Sequence, residues 1–182
     1  MTYPSFNSGE VLTASDMNAV GLWLVKSTNF TTASTCPMES VFSSSYLNYL
    51  VKITMTGSAN TFMNLVFYTG TNTEYTNATY YRYGAYYGSG AWTDYQAGNQ
   101  TSMVLNNYSS TAANISNTEL AVFAPNNSSF RTNIRNDSWD AQSGLLIRTE
   151  NVVDVANSFT GFVVKPNTGT LTGRIRVYGY KD

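Results

Sequence analysis

The sequence predicts an all-β fold: an antiparallel jelly-roll-like β-sandwich with a short N-terminal helix. Three observations lead there. Beyond Gly21 the apolar residues recur with a period of two rather than 3.6. Clusters of Gly, Pro, Asn, Asp and Ser punctuate these runs at roughly 8–12-residue spacing, the rhythm of a sandwich or barrel. No segment repeats another, which sets aside propellers and β-helices. At 182 residues the chain suits one core with a small appendage. We divide it into an N-terminal docking or capping segment, 1–21, and a β-sandwich domain, 22–182.

The N-terminal segment differs from the rest of the chain. Thr13 followed by Asp16 resembles a capping box, with Asp in place of Glu or Gln, and Gly21 suits the position past a helix end. A helix over 14–20 is short enough to be marginal alone. Val11, Met17 and Val20 form an apolar stripe that must pack on something. That partner is either the chain's own domain or a larger assembly.

The strands then come in order. Residues 22–27 form the first. In 47–56, Leu47, Tyr49, Val51, Ile53 and Met55 alternate with Asn48, Leu50, Lys52, Thr54 and Thr56, the pattern of a half-buried strand. A turn at 57–60 leads to 62–68, with Met63, Leu65 and Phe67 on one face, and 70–73 is a loop. A short strand at 103–105 precedes an Asn/Ser/Thr-rich loop, 106–117. Residues 119–124 form a strand ended by Pro125, 126–129 a turn, and 130–135 a strand. Residues 136–140 read as a turn or loop, and 145–148 as a strand. The C-terminal end reads as a hairpin. Its strands are 158–165, with Phe162 and Val164 on one face, and 170–181. In the second, Leu171, Ile175 and Val177 oppose Arg174, Arg176, Tyr178 and Tyr180. Between them, Pro166 fixes φ and Gly169 supplies a positive φ.

Composition excludes several functions. Charged residues make up 12% of the chain and its net charge is −1, so no basic stripe exists for nucleic acid. No polybasic or amphipathic stretch suits a membrane surface, and no apolar run is long enough for membrane insertion. The first residues lack the basic and apolar regions of a signal peptide. Histidine is absent, which removes Ser-His-Asp and Cys-His catalysis and every His-based metal site. Cys36 is the single cysteine, so it reads as a buried apolar residue. No cofactor and no metal are expected.

Residues 79–95 hold six tyrosines, Trp92, Arg82 and Asp94. As a strand, this stretch would place Tyr81, Tyr83 and Tyr87 on one face and Tyr80, Arg82 and Tyr86 on the other. We expect the first face to pack inward. The second, with the loop carrying Trp92, should meet a ligand or a neighbouring subunit. Tyr80, Arg82, Tyr86, Tyr87, Trp92, Asp94 and Tyr95 are thus candidates for glycan binding, where rings stack on sugar C–H groups and polar tips bond hydroxyls. The same rings could instead fill a core and a subunit interface. Gly84, Gly88 and Gly90 do not make a phosphate-binding loop and read as bulge or turn residues. Asp137 and Asp140, flanking Trp139, could be a glycosidase pair, a calcium site or plain turn formers. No catalytic signature stands out, so we read the chain as a non-enzyme, with a small polysaccharide depolymerase as the outlying alternative.

Both ends of the chain resemble one class of protein. The segment Phe6-x-x-Gly9-Glu10-Val11-Leu12-Thr13-Ala14-x-Asp16-Met17-Asn18 is similar to one that opens many tailed-bacteriophage tail and fibre-type virion proteins. Tyr46-x-x-Tyr49-x-Val51-x-Ile53 and Gly169-Thr170-Leu171-Thr172-Gly173-x-Ile175-x-Val177-Tyr178-Gly179-Tyr180 resemble a recurrent domain of the same class. Arg174 directly follows Gly173 where many members have an extra residue, which affects only a local turn. The resemblance implies a virion protein assembled in the host cytoplasm, often a homotrimer, joined to other virion proteins through its N-terminal segment. It brings no invariant functional site. A tail-fibre or tail-tip component that attaches to host-surface glycan is the first expectation, and a capsid decoration or head-fibre protein the second.

Overall fold

The structure, a computed structural model, describes residues 21–108 and 114–181. The expected helix over 14–20, with Val11, Met17 and Val20, lies outside the described residues. Thirteen strands make up the described fold. They are β1 (Gly21–Ala33), β2 (Cys36–Met38), β3 (Asn48–Gly57), β4 (Thr61–Gly70), β5 (Thr73–Glu74), β6 (Tyr80–Gly88), β7 (Ala91–Gln100), β8 (Met103–Tyr108), β9 (Ser116–Phe123), β10 (Arg131–Asp140), β11 (Leu145–Ala156), β12 (Gly161–Pro166) and β13 (Leu171–Lys181). They pair antiparallel in two sheets. The large sheet runs β1-β13-β3-β9-β10-β11-β6-β7; the small one runs β2-β12-β4-β5, with β8 also on β4. The all-β antiparallel sandwich read from the sequence is what the chain adopts.

Alternation builds the core. Tyr49, Val51, Ile53 and Met55 of β3 and Leu171, Ile175 and Val177 of β13 face Met63, Leu65 and Phe67 of β4 and Phe162 and Val164 of β12. Each such side chain contributes roughly 1.5–3 kcal/mol through apolar area removed from water. Cys36 sits among them fully buried, as its sequence context implied, and burial pushes its thiol up from 9.0 to about 12.

Three local expectations are corrected. Residues 136–140 continue β10 rather than turn. The C-terminal pair is not a hairpin: β12 pairs with β2 and β4, whereas β13 pairs with β1 and β3. The turn between them, with Gly169 at φ 77°, is therefore an arch joining the two sheets. Residues 79–95 form two strands, not one. Gly88 pairs with Ala91, and Ser89 and Gly90 have φ of 51° and 83°. Positive φ at both loop residues is the type I′ hairpin geometry.

Candidate ligand-binding cleft

The site lies where the large sheet meets β8, which packs over β9, β10 and β6. There the inward face of the large sheet changes chemistry. At one end of the sheet the inward positions are apolar; along β9, β10 and β11 they become Thr118, Asn136, Ser138, Asp140, Thr149 and Asn151, all buried. Buried polar groups are costly unless paired, and each of these side chains makes at least one hydrogen bond. Asn106 of β8 donates to Thr118 Oγ1 at 3.0 Å. Asn136 donates to the Leu105 carbonyl at 2.9 Å and to Thr149 Oγ1 at 3.3 Å. The Ser138 hydroxyl donates to Asn136 Oδ1 at 2.5 Å and lies 3.0 Å from Thr118 Oγ1. This network ties β8 to the sheet and fixes the floor under the cleft.

The cleft has a volume of about 320 Å³. Arg82, Tyr86 and Tyr95 line one side and Val104, Asn106 and Asn107 of β8 the other, with Phe62, Ile147 and Asp140 completing it. Arg82 stacks over the Tyr95 ring, its guanidinium carbon 4.4 Å from the centroid, a cation–π contact. It donates to the Val104 carbonyl at 3.2 Å. Tyr86 and Tyr95 stand with ring centroids 6.2 Å apart, tilted by 45°. Burial lowers the Arg82 pKa, with Tyr95 opposing the shift, and burial raises that of Tyr95, with Arg82 opposing. At neutral pH the pair is a charged guanidinium on a neutral phenol. Three buried polar atoms here have no partner: Arg82 Nε, Asn106 Oδ1 and Asn151 Oδ1. At the far end Asp140 is committed to a turn, accepting from Gln142 N at 2.8 Å, Ser143 N at 3.1 Å and Asn107 Nδ2 at 2.9 Å.

The seven sequence candidates divide into three places. Arg82, Tyr86 and Tyr95 come together in the cleft. Tyr80 is in the core at 3% exposure: Phe67 N donates to its hydroxyl at 3.0 Å, and that hydroxyl donates to the Tyr75 carbonyl at 2.9 Å. Tyr87, Trp92 and Asp94 lie on the opposite, outward face. The expected orientation of β6 is thus corrected. Tyr83 and Tyr87 are exposed, while Tyr80, Arg82 and Tyr86 turn inward, because their partners on β11 are Val153, Asn151 and Ile147 of the inner face. Asp137 and Asp140 do not form a pair. Three residues apart on a strand, they point to opposite faces, and Asp137 meets Arg148 and Arg135 outside at 3.0 and 3.8 Å. Among the described residues no cluster of three or more His, Cys, Asp or Glu is placed to hold a metal. Phe62, Asn106 and Asn107 escaped the sequence reading. The signal for the amides was their position at the end of the apolar run Met103-Val104-Leu105, where we read a loop.

The outward face carries a second feature. Strand register puts Trp139, Leu146, Tyr87 and Trp92 in one row across β10, β11, β6 and β7. Trp139, Tyr87 and Trp92 are exposed, and the Tyr87 and Trp92 rings lie 5.5 Å apart. The neighbouring row is charged, with Lys52–Glu119 and Arg148–Asp137 pairs each at 3.0 Å.

No family model matches the chain, and no curated protein matches its sequence. Among solved structures, the crystal structure of Caenorhabditis elegans galectin LEC-6 is similar over 83% of this chain and 94% of that one, with 11% identity and a TM-score of 0.37. At that similarity it carries no argument about function.

Proposed function

We propose that this chain is a non-enzymatic virion protein of a tailed bacteriophage, a tail-fibre or tail-tip component that binds host-surface glycan in the β6–β8 cleft. The observation that carries the glycan reading is the cleft lining: Tyr86 and Tyr95 offer ring faces, with Arg82 on one side and the Asn106 and Asn107 amides across from it. That combination of flat apolar surface and convergent polar groups is what a sugar ring needs. The phage setting rests on the three sequence segments that resemble virion proteins. In this reading the sandwich is of the jelly-roll kind, and residues 1–21 join the chain to other virion proteins. A glycan array tests it. Wild type should give signal that Tyr86→Ala and Tyr95→Ala lose and Trp92→Ala keeps. A blank array, or signal that follows Trp92 instead, contradicts it.

The outward aromatic row favours a second reading, in which this face packs on copies of the chain, as in a homotrimer, or on a capsid surface. Exposed contiguous rings mark interaction surfaces, and aromatics are enriched in interfaces. Sedimentation analysis decides. Self-association lost in a Trp92→Ala/Trp139→Ala variant supports the homotrimer. Binding to capsid shells with a blank glycan array supports a decoration protein instead.

A further inference from the structure

We infer that the sugar taken by the cleft is acidic, a uronic-acid-type ring whose carboxylate is met by Arg82; this rests on the glycan reading above. Among the described residues, four of the other five arginines have a side-chain partner, Arg176 being the exception. Arg131, Arg135 and Arg148 each have a carboxylate within ion-pair distance while remaining well exposed, and Arg174 donates to Asn29 at 2.6 Å. Arg82 is partly buried, yet no described carboxylate lies within ion-pair distance of it. It has only a carbonyl and a ring face as partners. A guanidinium offers five N–H donors in a planar fork that fits a carboxylate. One is used on Val104, and Nε has no partner but is shielded from solvent, so the remaining Nη donors are the ones left for a ligand. A partly desolvated cation without a counter-ion is costly, and an incoming carboxylate relieves that cost.

The one carboxylate in the lining does not compete. Asp140 is already held by three donors. Its strand position is also remote. Asp140 pairs with Leu145 and Arg82 with Asn151, six residues apart along β11. That is about 20 Å of strand between the two backbones, and the side chains reach β8 at different points, Arg82 at Val104 and Asp140 at Asn107. The cleft is therefore polarised. Its Arg82–Tyr95 end suits an anion, and its end at Asn106, Asn107 and Asp140 suits neutral hydroxyls. The two ends together select an acidic ring within an otherwise neutral chain.

Titration calorimetry with an acidic oligosaccharide and its carboxyl-reduced analogue, identical except for CH₂OH in place of the carboxylate, tests this on the unaltered protein. The acidic sugar should bind about tenfold tighter or more, the effect of a charge-assisted hydrogen bond. Arg82→Gln should erase the difference between the two sugars, whatever it does to the affinity for the neutral one, and Arg82→Lys should restore part of that difference. Tyr86→Ala should weaken both ligands. Equal affinity of wild type for the two sugars overturns the inference but leaves the glycan reading intact, as does a sulfated oligosaccharide binding where the uronate does not. If neither binds and Tyr86→Ala changes nothing, the glycan reading itself falls.

Discussion

Cys36 and Asn136 show two kinds of burial, and each makes a prediction. Cys36 has a thiol pKa raised by burial from 9.0 to about 12. Between those values the unfolded chain has lost a proton that the folded chain keeps, so stability falls as pH rises. Tyr49, Tyr68 and Tyr80 are shifted upward by burial too and act in the same direction. Thermal melts should therefore hold level below about pH 9 and decline above it, and Cys36→Ala should make the decline shallower. A melting temperature flat to pH 12 contradicts this burial. Asn136 is fully buried and makes three hydrogen bonds within the polar floor. Asn136→Ala strands its partners and should cost about 1–3 kcal/mol in denaturant unfolding. A loss below ~0.5 kcal/mol would show that the network does not hold β8. These two residues differ in legibility. A lone cysteine before Pro37 reads correctly as a core residue, whereas an asparagine in Arg135-Asn136-Asp137-Ser138 reads as a turn until its neighbours are seen.

At the scale of elements, legibility follows the contrast between the two faces of a strand. β3 and β13 are plain in the sequence because their inner residues are apolar and most of their outer ones polar. β10 is hidden because its inner face carries Thr132, Asn136, Ser138 and Asp140 beside Ile134, so no alternation survives. The β6–β7 hairpin is hidden for the opposite reason: aromatics occupy both faces, and Gly90, legible as a bulge or turn residue, does not by itself fix a two-residue hairpin turn. Turn chemistry around Gly169 is legible, but it does not distinguish a hairpin from an arch between sheets. Of the cleft, Arg82, Tyr86 and Tyr95 could be picked out as aromatic-rich surface. The β8 amides could not, since the pairing of β8 with β4 depends on which strands become neighbours. The hairpin is directly testable. Gly90 has φ 83° and no atom near enough to clash with an added Cβ, so Gly90→Val acts through the backbone alone. It should cost about 1–2 kcal/mol, and Gly90→Asn clearly less, because Asn tolerates the left-handed region. Equal losses for the two variants would rule out the type I′ turn.

The whole molecule is a sandwich with unequal sheets, and the inequality is what makes a site. Where the small sheet ends at β8, the large sheet continues through β6 and β7, so its inner face emerges from the core into a cleft. The same strands turn their other face outward as the row Trp139, Leu146, Tyr87 and Trp92. In the proposed reading one face serves a ligand and the other a neighbouring subunit. In a trimer three weak cleft contacts act together on a multivalent surface. A crystal structure of the protein soaked with an acidic oligosaccharide tests the central claim most directly. We predict a sugar ring lying against Tyr86 and Tyr95 with its carboxylate on Arg82 and its hydroxyls toward Asn106 and Asn107. Sugar bound instead along Tyr87, Trp92 and Trp139, with the cleft unchanged, would contradict the account.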